Sequence, residues 1–291
     1  FGTLSAYWNS GFTGTVQFRA DTDSGTTKDP VKPKDPVATY TAPTVYLSTP
    51  TIYDGQSASA FLAATEPNEN AITFFLNGND LGTTPSMSGT RSASTSLGFF
   101  PDNGVYTYTA LARDEKGNYS IPVTSTLTVL NVPPTITSLN IPTIYEGQSA
   151  SAYMSATDPG ADAISFFLNG NNVGTDPNTS GTRSVNANLG YFADNGYIPY
   201  TAEAVDKDGG VSTPVSGALL VLNVPPTLTH FNLSKHVINE GQSVLGRLFA
   251  TDPGADYETF FVNGNNVGTD LQTSGTRSVQ TNLGIFDTPG K

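Results

Sequence analysis

Tyr53-Asp-Gly-Gln-Ser-Ala-Ser-Ala60 returns as Tyr145-Glu-Gly-Gln-Ser-Ala-Ser-Ala152 and, in shorter form, as Asn239-Glu-Gly-Gln-Ser243. The glycines Gly55, Gly147 and Gly241 are 92 and 94 residues apart. Ser-Gly-Thr-Arg-Ser recurs around Arg91, Arg183 and Arg277 at the same two spacings, so the register is kept through the unit. Asn-Val-Pro-Pro-Thr at 131–135 and 223–227 marks the joints. A fixed period of this kind is the signature of an array of like modules. Within each unit, short strand-like runs alternate with turn residues every 8–12 residues or so, the spacing of a β-sandwich.

Local chemistry agrees with that reading. In Ile164-Ser-Phe-Phe-Leu-Asn-Gly-Asn-Asn-Val-Gly174 an Asn-Gly pair between apolar runs predicts a hairpin, because both residues tolerate positive φ. Along Tyr106–Ala112, Tyr106, Tyr108, Ala110 and Ala112 share one face at period two, which predicts a strand with one core-facing side. Asp102-Asn-Gly-Val-Tyr106 before it has the pattern of a tyrosine corner, where the hydroxyl ties back to upstream backbone. Repeat two carries Ile198 in the Tyr place.

The chain's 29 Gly and 20 Pro argue against long helices, while 37% apolar residues suffice for a core. Thirteen basic against 25 acidic residues leave a net charge of -12, which repels nucleic acid and anionic lipid. With no cysteine, disulfides, thiolate metal sites and cysteine nucleophiles are excluded. That fits a cytosolic protein, a virion protein or a bacterial exoprotein stable without bridges. No apolar run approaches the roughly 20 residues a membrane helix needs. The chain begins at Phe1 and not at Met, so an N-terminal segment is expected to have been removed or left out.

From about residue 44 onward the succession Asn-Val-Pro-Pro-Thr, Glu-Gly-Gln-Ser, Ala-Thr-Asp-Pro-Gly-Ala-Asp, Phe-Phe-Leu-Asn-Gly-Asn-Asn-Val-Gly-Thr and Ala-Val-Asp-Lys-Asp-Gly-Gly is similar to tandem bacterial Ig-like and PKD-like modules. The Trp-Asp-Phe-Gly-Asp-Gly core of PKD domains is absent, with Phe166-Phe-Leu-Asn-Gly170 in its region, so Ig-like is the better label. The resemblance implies an all-β chain of immunoglobulin-like sandwiches in an elongated rod. Such modules serve as spacers, adhesin stalks, enzyme accessories and virion decorations.

The ends are unequal to the middle. Repeat three stops at Lys291, the counterpart of Tyr197, so strands matching Tyr200–Ala204 and Leu219–Leu222 have no equivalent. Residues 4–25 align without a gap to 189–210, with Leu4, Gly11, Asp21, Asp23 and Gly25 identical at an offset of 185. The expected organisation is a back half-unit at 1–43 with a Pro-rich loop at 28–36, full repeats at 44–132 and 133–224, and a front half-unit at 225–291. The halves close between copies of the chain, within one chain, or in a longer array from which this stretch is cut. For the first case the assembly contacts are Tyr7, Trp8, Phe12, Val16 and Phe18 on one side and Phe260, Phe261, Leu283 and Phe286 on the other.

Carboxylates recur with the repeat: Asp158-Pro-Gly-Ala-Asp162 and Asp252-Pro-Gly-Ala-Asp256, Asp206-Lys-Asp208, and Glu146 or Glu240 before the Gly-Gln-Ser turn. Glu146, Asp158, Asp162, Asp206 and Asp208 are the candidate calcium ligands, since hard oxygen donors near a joint can stiffen it; alternatively they are turn residues capping their own backbone. No other cofactor is expected. Arg91, Arg183 and Arg277 either bind a sugar or carboxylate or serve as structural ion pairs and packing stems. Trp8, the sole Trp, offers either a glycan platform or buried contact area. Two histidines in one repeat and no nucleophile, metalloprotease or phosphate-loop motif give catalysis no foothold. Lysines recur at no strand position that would suit an isopeptide bond, and the Asn-x-Ser triplets at Asn118, Asn178 and Asn232 matter only in a glycosylating host.

The expected role is non-catalytic and structural: a fibre or appendage subunit on the cell exterior that polymerises with itself head to tail by strand complementation. The alternatives are an adhesin or virion-surface module holding host glycans, an accessory region of a secreted hydrolase, or a piece of a longer spacer.

Overall fold

A computed structural model describes residues 3–7, 13–17 and 41–287, with side chains from residue 41 onward. It forms two units, Phe1–Tyr40 and Thr41–Lys291, and no helix occurs among the described residues. In the first unit β1 (Thr3–Tyr7) pairs antiparallel with β2 (Thr13–Gln17), Leu4 opposite Val16. The 185-residue offset matches these strands to 188–192 and 198–202, which lie in facing sheets of the second sandwich. Here the two strands satisfy their backbone groups on each other and make a hairpin instead. Tyr7 and Val16 lie in β1 and β2, where only backbone is described, while Trp8, Phe12, Phe18 and the 28–36 loop fall outside the described residues.

The first sandwich packs β3 (Thr44–Ser48), β5 (Gln56–Thr65) and β8 (Thr90–Phe100), in the order β3-β5-β8, against a second sheet. That sheet contains β4 (Thr51–Tyr53), β10 (Val123–Leu130), β9 (Gly104–Asp114), β6 (Ile72–Leu76) and β7 (Asn79–Thr84), in the order β4-β10-β9-β6-β7. Ladders are antiparallel except between β4 and β10. Alternation decides what is buried: along β5, Ala58, Ala60, Leu62 and Ala64 face inward, and along β9 so do Ala110 and Ala112. Leu62 meets Ile72 and Phe74 from the opposite sheet in one core. Replacing Phe74 by Ala there would cost about 3–5 kcal/mol.

The second sandwich repeats the plan. β11 (Thr135–Asn140), β13 (Gln148–Thr157) and β16 (Arg183–Phe192) face the order β12-β18-β17-β14-β15, where β12 is Thr143–Tyr145, β18 Val215–Leu222, β17 Gly196–Asp206, β14 Ile164–Leu168 and β15 Asn171–Asp176. Asn77, Asn169 and Asn263 take φ of 48–50°, each followed by a positive-φ glycine, so the Asn-Gly hairpin forms in all three repeats. The tyrosine corner is different from expectation. Tyr106 lays its ring over Gly104 and against Phe100, 4.9 Å between centroids, and among the described residues its hydroxyl makes no tie to upstream backbone.

In the third repeat β19 (Thr227–Leu233), β20 (Gln242–Thr251) and β23 (Thr276–Phe286) form one sheet, and β21 (Glu258–Val262) with β22 (Asn265–Asp270) the other. Counterparts of β12, β17 and β18 are not among the described residues, so the second edge of β21 has no ladder partner there. The core shrinks to Leu248, Ala250 and Phe260. Phe286 is 44% exposed where Phe100 in the first sandwich is 7% exposed. Of the expected assembly residues, Phe260 is buried in this small core and Leu283 is half-buried, whereas Phe261, one residue on, points to the opposite face and is exposed. Phe260 and Phe261 therefore cannot meet the same partner surface.

Candidate metal centre

The joint between the first two sandwiches is built from three loops. After β4 the chain turns at Asp54-Gly55, held by Asp54 N donating to Leu130 O at 2.9 Å and Gly55 N to Phe100 O at 2.8 Å. The Asp54 carboxylate is 2% exposed and accepts the linker amide of Val132 at 3.2 and 3.3 Å. The two prolines that follow carry no N–H, which leaves Val132 as a donor that must be satisfied here. From the second sandwich, the Asp158–Asp162 loop reaches back: Ala161 N donates to Pro101 O at 2.7 Å. Asn131 Nδ2 in turn donates to Asp206 Oδ2 at 2.9 Å.

The Asp158–Asp162 loop is held from beneath by Arg183, which is fully buried. Its guanidinium donates to the carbonyls of Asp158, Gly160, Asp162, Asn178 and Gly181 at 2.8–3.3 Å. The arginine is structural, but its partners are backbone carbonyls and no carboxylate. With the carbonyls turned inward, the loop presents its carboxylates to the joint. Asp162 Oδ2, Asp54 Oδ2 and Asp158 Oδ1 lie 2.8, 2.9 and 3.0 Å from the point a Gly160 Cβ would occupy. Glycine alone leaves that space open.

Three carboxylates out of water and close together resist ionisation. Burial, reinforced by the neighbouring carboxylates, raises Asp158 to about 6 despite the 2.6 Å bond from Gly160 N. Burial likewise pushes up Asp54, and pushes up Asp162 against the pull of Lys207. On the outer side, Lys207 Nζ lies 2.8 Å from Asp102, 2.5 Å from Asp162 and 3.4 Å from Asp208. Hydrogen bonds to Asp102 and Asp162 push the ammonium above its ordinary range. One oxygen each of Asp102, Asp162 and Asp208 falls within 4.8 Å of the others, and so does one each of Asp54, Asp158 and Asp162. Lys207 serves the first trio. In the second, Asp158 Oδ2 and Asp162 Oδ2 are buried without a partner.

The second joint reuses the scaffold. Glu146 stands in the place of Asp54, accepts Val224 N at 2.6 Å, and leaves Oε2 buried without a partner. Ala255 N donates to Ala193 O at 2.9 Å, and Arg277 holds the carbonyls of Asp252, Gly254 and Asp256. Glu146 Oε2 and Asp252 Oδ1 approach the Gly254 position at 2.9 and 3.0 Å, but Asp256 is exposed. Of the five candidate ligands, the structure thus brings Asp158, Asp162 and Asp206 to the first joint, sets Asp208 on the Lys207 side, and places Glu146 at the second joint. Sequence reading omitted Asp54, Asp102 and Asn131. The available signal for Asp54 was its alignment with Glu146 in the Gly-Gln-Ser turn.

These strand orders define tandem immunoglobulin-like sandwiches. No protein-family model and no curated protein matches the chain. Solved structures similar to it include an I-band fragment of titin, 13% identical, covering 86% of this chain and 90% of that one with a TM-score of 0.38. A fibronectin(III)-like module structure of Clostridium thermocellum CbhA is 18% identical over 61% of this chain and 94% of that one, TM-score 0.25. The adhesin InvE of Yersinia pseudotuberculosis is 15% identical over 62% and 59%, TM-score 0.30.

Proposed function

We propose that the chain is a non-catalytic structural module of an extracellular fibre or surface array, in which the hairpin at its start completes the third repeat of another copy. The observation that carries this reading is the edge of β21 that has no ladder partner among the described residues. In the second sandwich the equivalent β14 pairs with β17 from Ile164↔Asp206 to Leu168↔Ala202, and Ala202 and Ala204 of β17 lie in its core. An unpaired edge beside half-covered apolar residues is a template for added strands. Because β17 and β18 are antiparallel, the antiparallel β1–β2 hairpin can supply both places as one unit. A contact of this head-to-tail type propagates from copy to copy wherever its rotation does not close a ring.

Sedimentation velocity at rising protein concentration tests the reading. The full chain should form a ladder of polymers, the chain lacking residues 1–25 should not, and an excess of peptide 1–43 should cap growth. A full chain that stays monomeric, or a truncated one that polymerises equally, would overturn it.

A further inference from the structure

We infer that the joint between the first and second sandwiches is a binding site for a hard divalent cation of the calcium type, held by Asp54 from one sandwich and by Asp158 and Asp162 from the next. The site lies wholly within the first two sandwiches and stands whichever partner covers the third. Asp162 is fully buried and Asp158 is 9% exposed, yet Oδ2 of each has no hydrogen-bond partner. Buried polar atoms are nearly always satisfied, and buried carboxylates doubly so, because an unpaired charge out of water is costly. Asp162 Oδ2 is one of the three oxygens that gather in front of Gly160, and Asp158 reaches the same space with Oδ1, where the missing Cβ keeps a cradle open.

The donor set selects the ion. It holds no nitrogen and no sulfur, which disfavours zinc and its neighbours against oxygen-seeking cations. Three carboxylates buried away from bulk water suit calcium better than magnesium, which demands near-ideal octahedral geometry and keeps several of its own waters. Lys207 does not substitute, since it binds Asp162 through Oδ1 and leaves Oδ2 free. Loop carbonyls are no competitors for the ion either, as Arg183 occupies them. A cation here would join one sandwich to the next through its own bonds and so fix their joint. Glu146 and Asp252 offer only two such oxygens at the second joint, which makes it the weaker site.

Isothermal titration of calcium chloride into the full chain, freed of metal by a chelator, reads the site directly. One dominant site is expected, with a dissociation constant on the order of 10⁻⁴–10⁻³ M, as in extracellular calcium modules. Asp54→Asn keeps the contact to Val132 and should weaken binding at least tenfold while circular dichroism in chelator stays unchanged. Glu146→Gln should leave the dominant site intact. Absence of heat and of any calcium-dependent melting shift in the unaltered chain at about 10 mM calcium would overturn the inference. So would binding undiminished in Asp54→Asn combined with Asp162→Asn.

Discussion

The same loop stands in the first and second sandwiches and is put to different use. In the second it reads Asp158-Pro-Gly-Ala-Asp162, cages Arg183 and docks on Pro101. In the first it reads Glu66-Pro-Asn-Glu-Asn70, and Glu66, buried at 3%, turns its carboxylate onto its own loop, accepting Asn70 N at 2.7 Å and Asn68 Nδ2 at 3.0 Å. Arg91 keeps the repeat position but loses the cage: it donates to Met87 O, and its Nε and Nη1 have no partner. The sandwich therefore folds with either loop. What the Asp-Pro-Gly-Ala-Asp version adds is a joint.

The largest contrast follows from the arginines. Arg183→Met should lower the stability of the second sandwich by about 3–5 kcal/mol, since it strips donors from several buried carbonyls at once. Arg91→Met removes a buried charge with one bond and should change stability by less than about 1 kcal/mol. Urea unfolding of the two variants measures both; equal losses would erase the distinction between the loops.

How much of this could be read beforehand depends on whether a feature is local. The Asn-Gly hairpins, the period-two face of β9 at Ala110 and Ala112 and the repeat length itself are written in neighbouring residues, and each was legible. Of the carboxylate trio, Asp158 and Asp162 were legible and Asp54 was not, because the trio crosses a repeat boundary: Asp54 meets Asp158, 104 residues on, while Glu146, in the same repeat as Asp158, faces the next joint. Each turn answers the loop of the repeat that follows it. The role of Arg183 was hidden for another reason, as backbone carbonyls leave no mark in a sequence. The hairpin of β1 with β2 escaped because alignment to a complete sandwich assigns each strand the sheet of its counterpart.

A smaller effect should come from the floor of the cradle. Gly160→Ala puts a Cβ within 3.0 Å of three carboxylate oxygens, closer than atoms settle without movement. About 1–3 kcal/mol of stability should go, together with any calcium-dependent rise in melting temperature. In the first sandwich the equivalent residue is Asn68, an exposed side chain whose Nδ2 donates to Glu66 Oε1 at 3.0 Å and to Thr41 O at 3.4 Å. Asn68→Ala removes two hydrogen bonds, one of them long and exposed, and should cost about 1 kcal/mol and leave the calcium response alone. Thermal melting with calcium and with chelator separates the two.

The smallest effect carries an opposite sign in the two loops. Asp158 and Glu66 occupy the same repeat position, but Asp158 shares its space with Asp54 and Asp162, whereas the Glu66 carboxylate accepts two loop donors. Asp158→Asn keeps an acceptor for Gly160 N and removes one of three crowded negative charges. In chelator it should raise stability by about 1 kcal/mol, because like charges out of water repel and each resists ionisation. Glu66→Gln weakens two charge-assisted bonds without relieving any repulsion, and should lower stability by about 1 kcal/mol. Calcium reverses the first result and not the second: with the ion bound, the unaltered chain should become the more stable of the Asp158 pair. Paired melts in chelator and in calcium check the inversion, and an Asp158→Asn chain that is less stable in both would mean that the carboxylates are balanced without a cation.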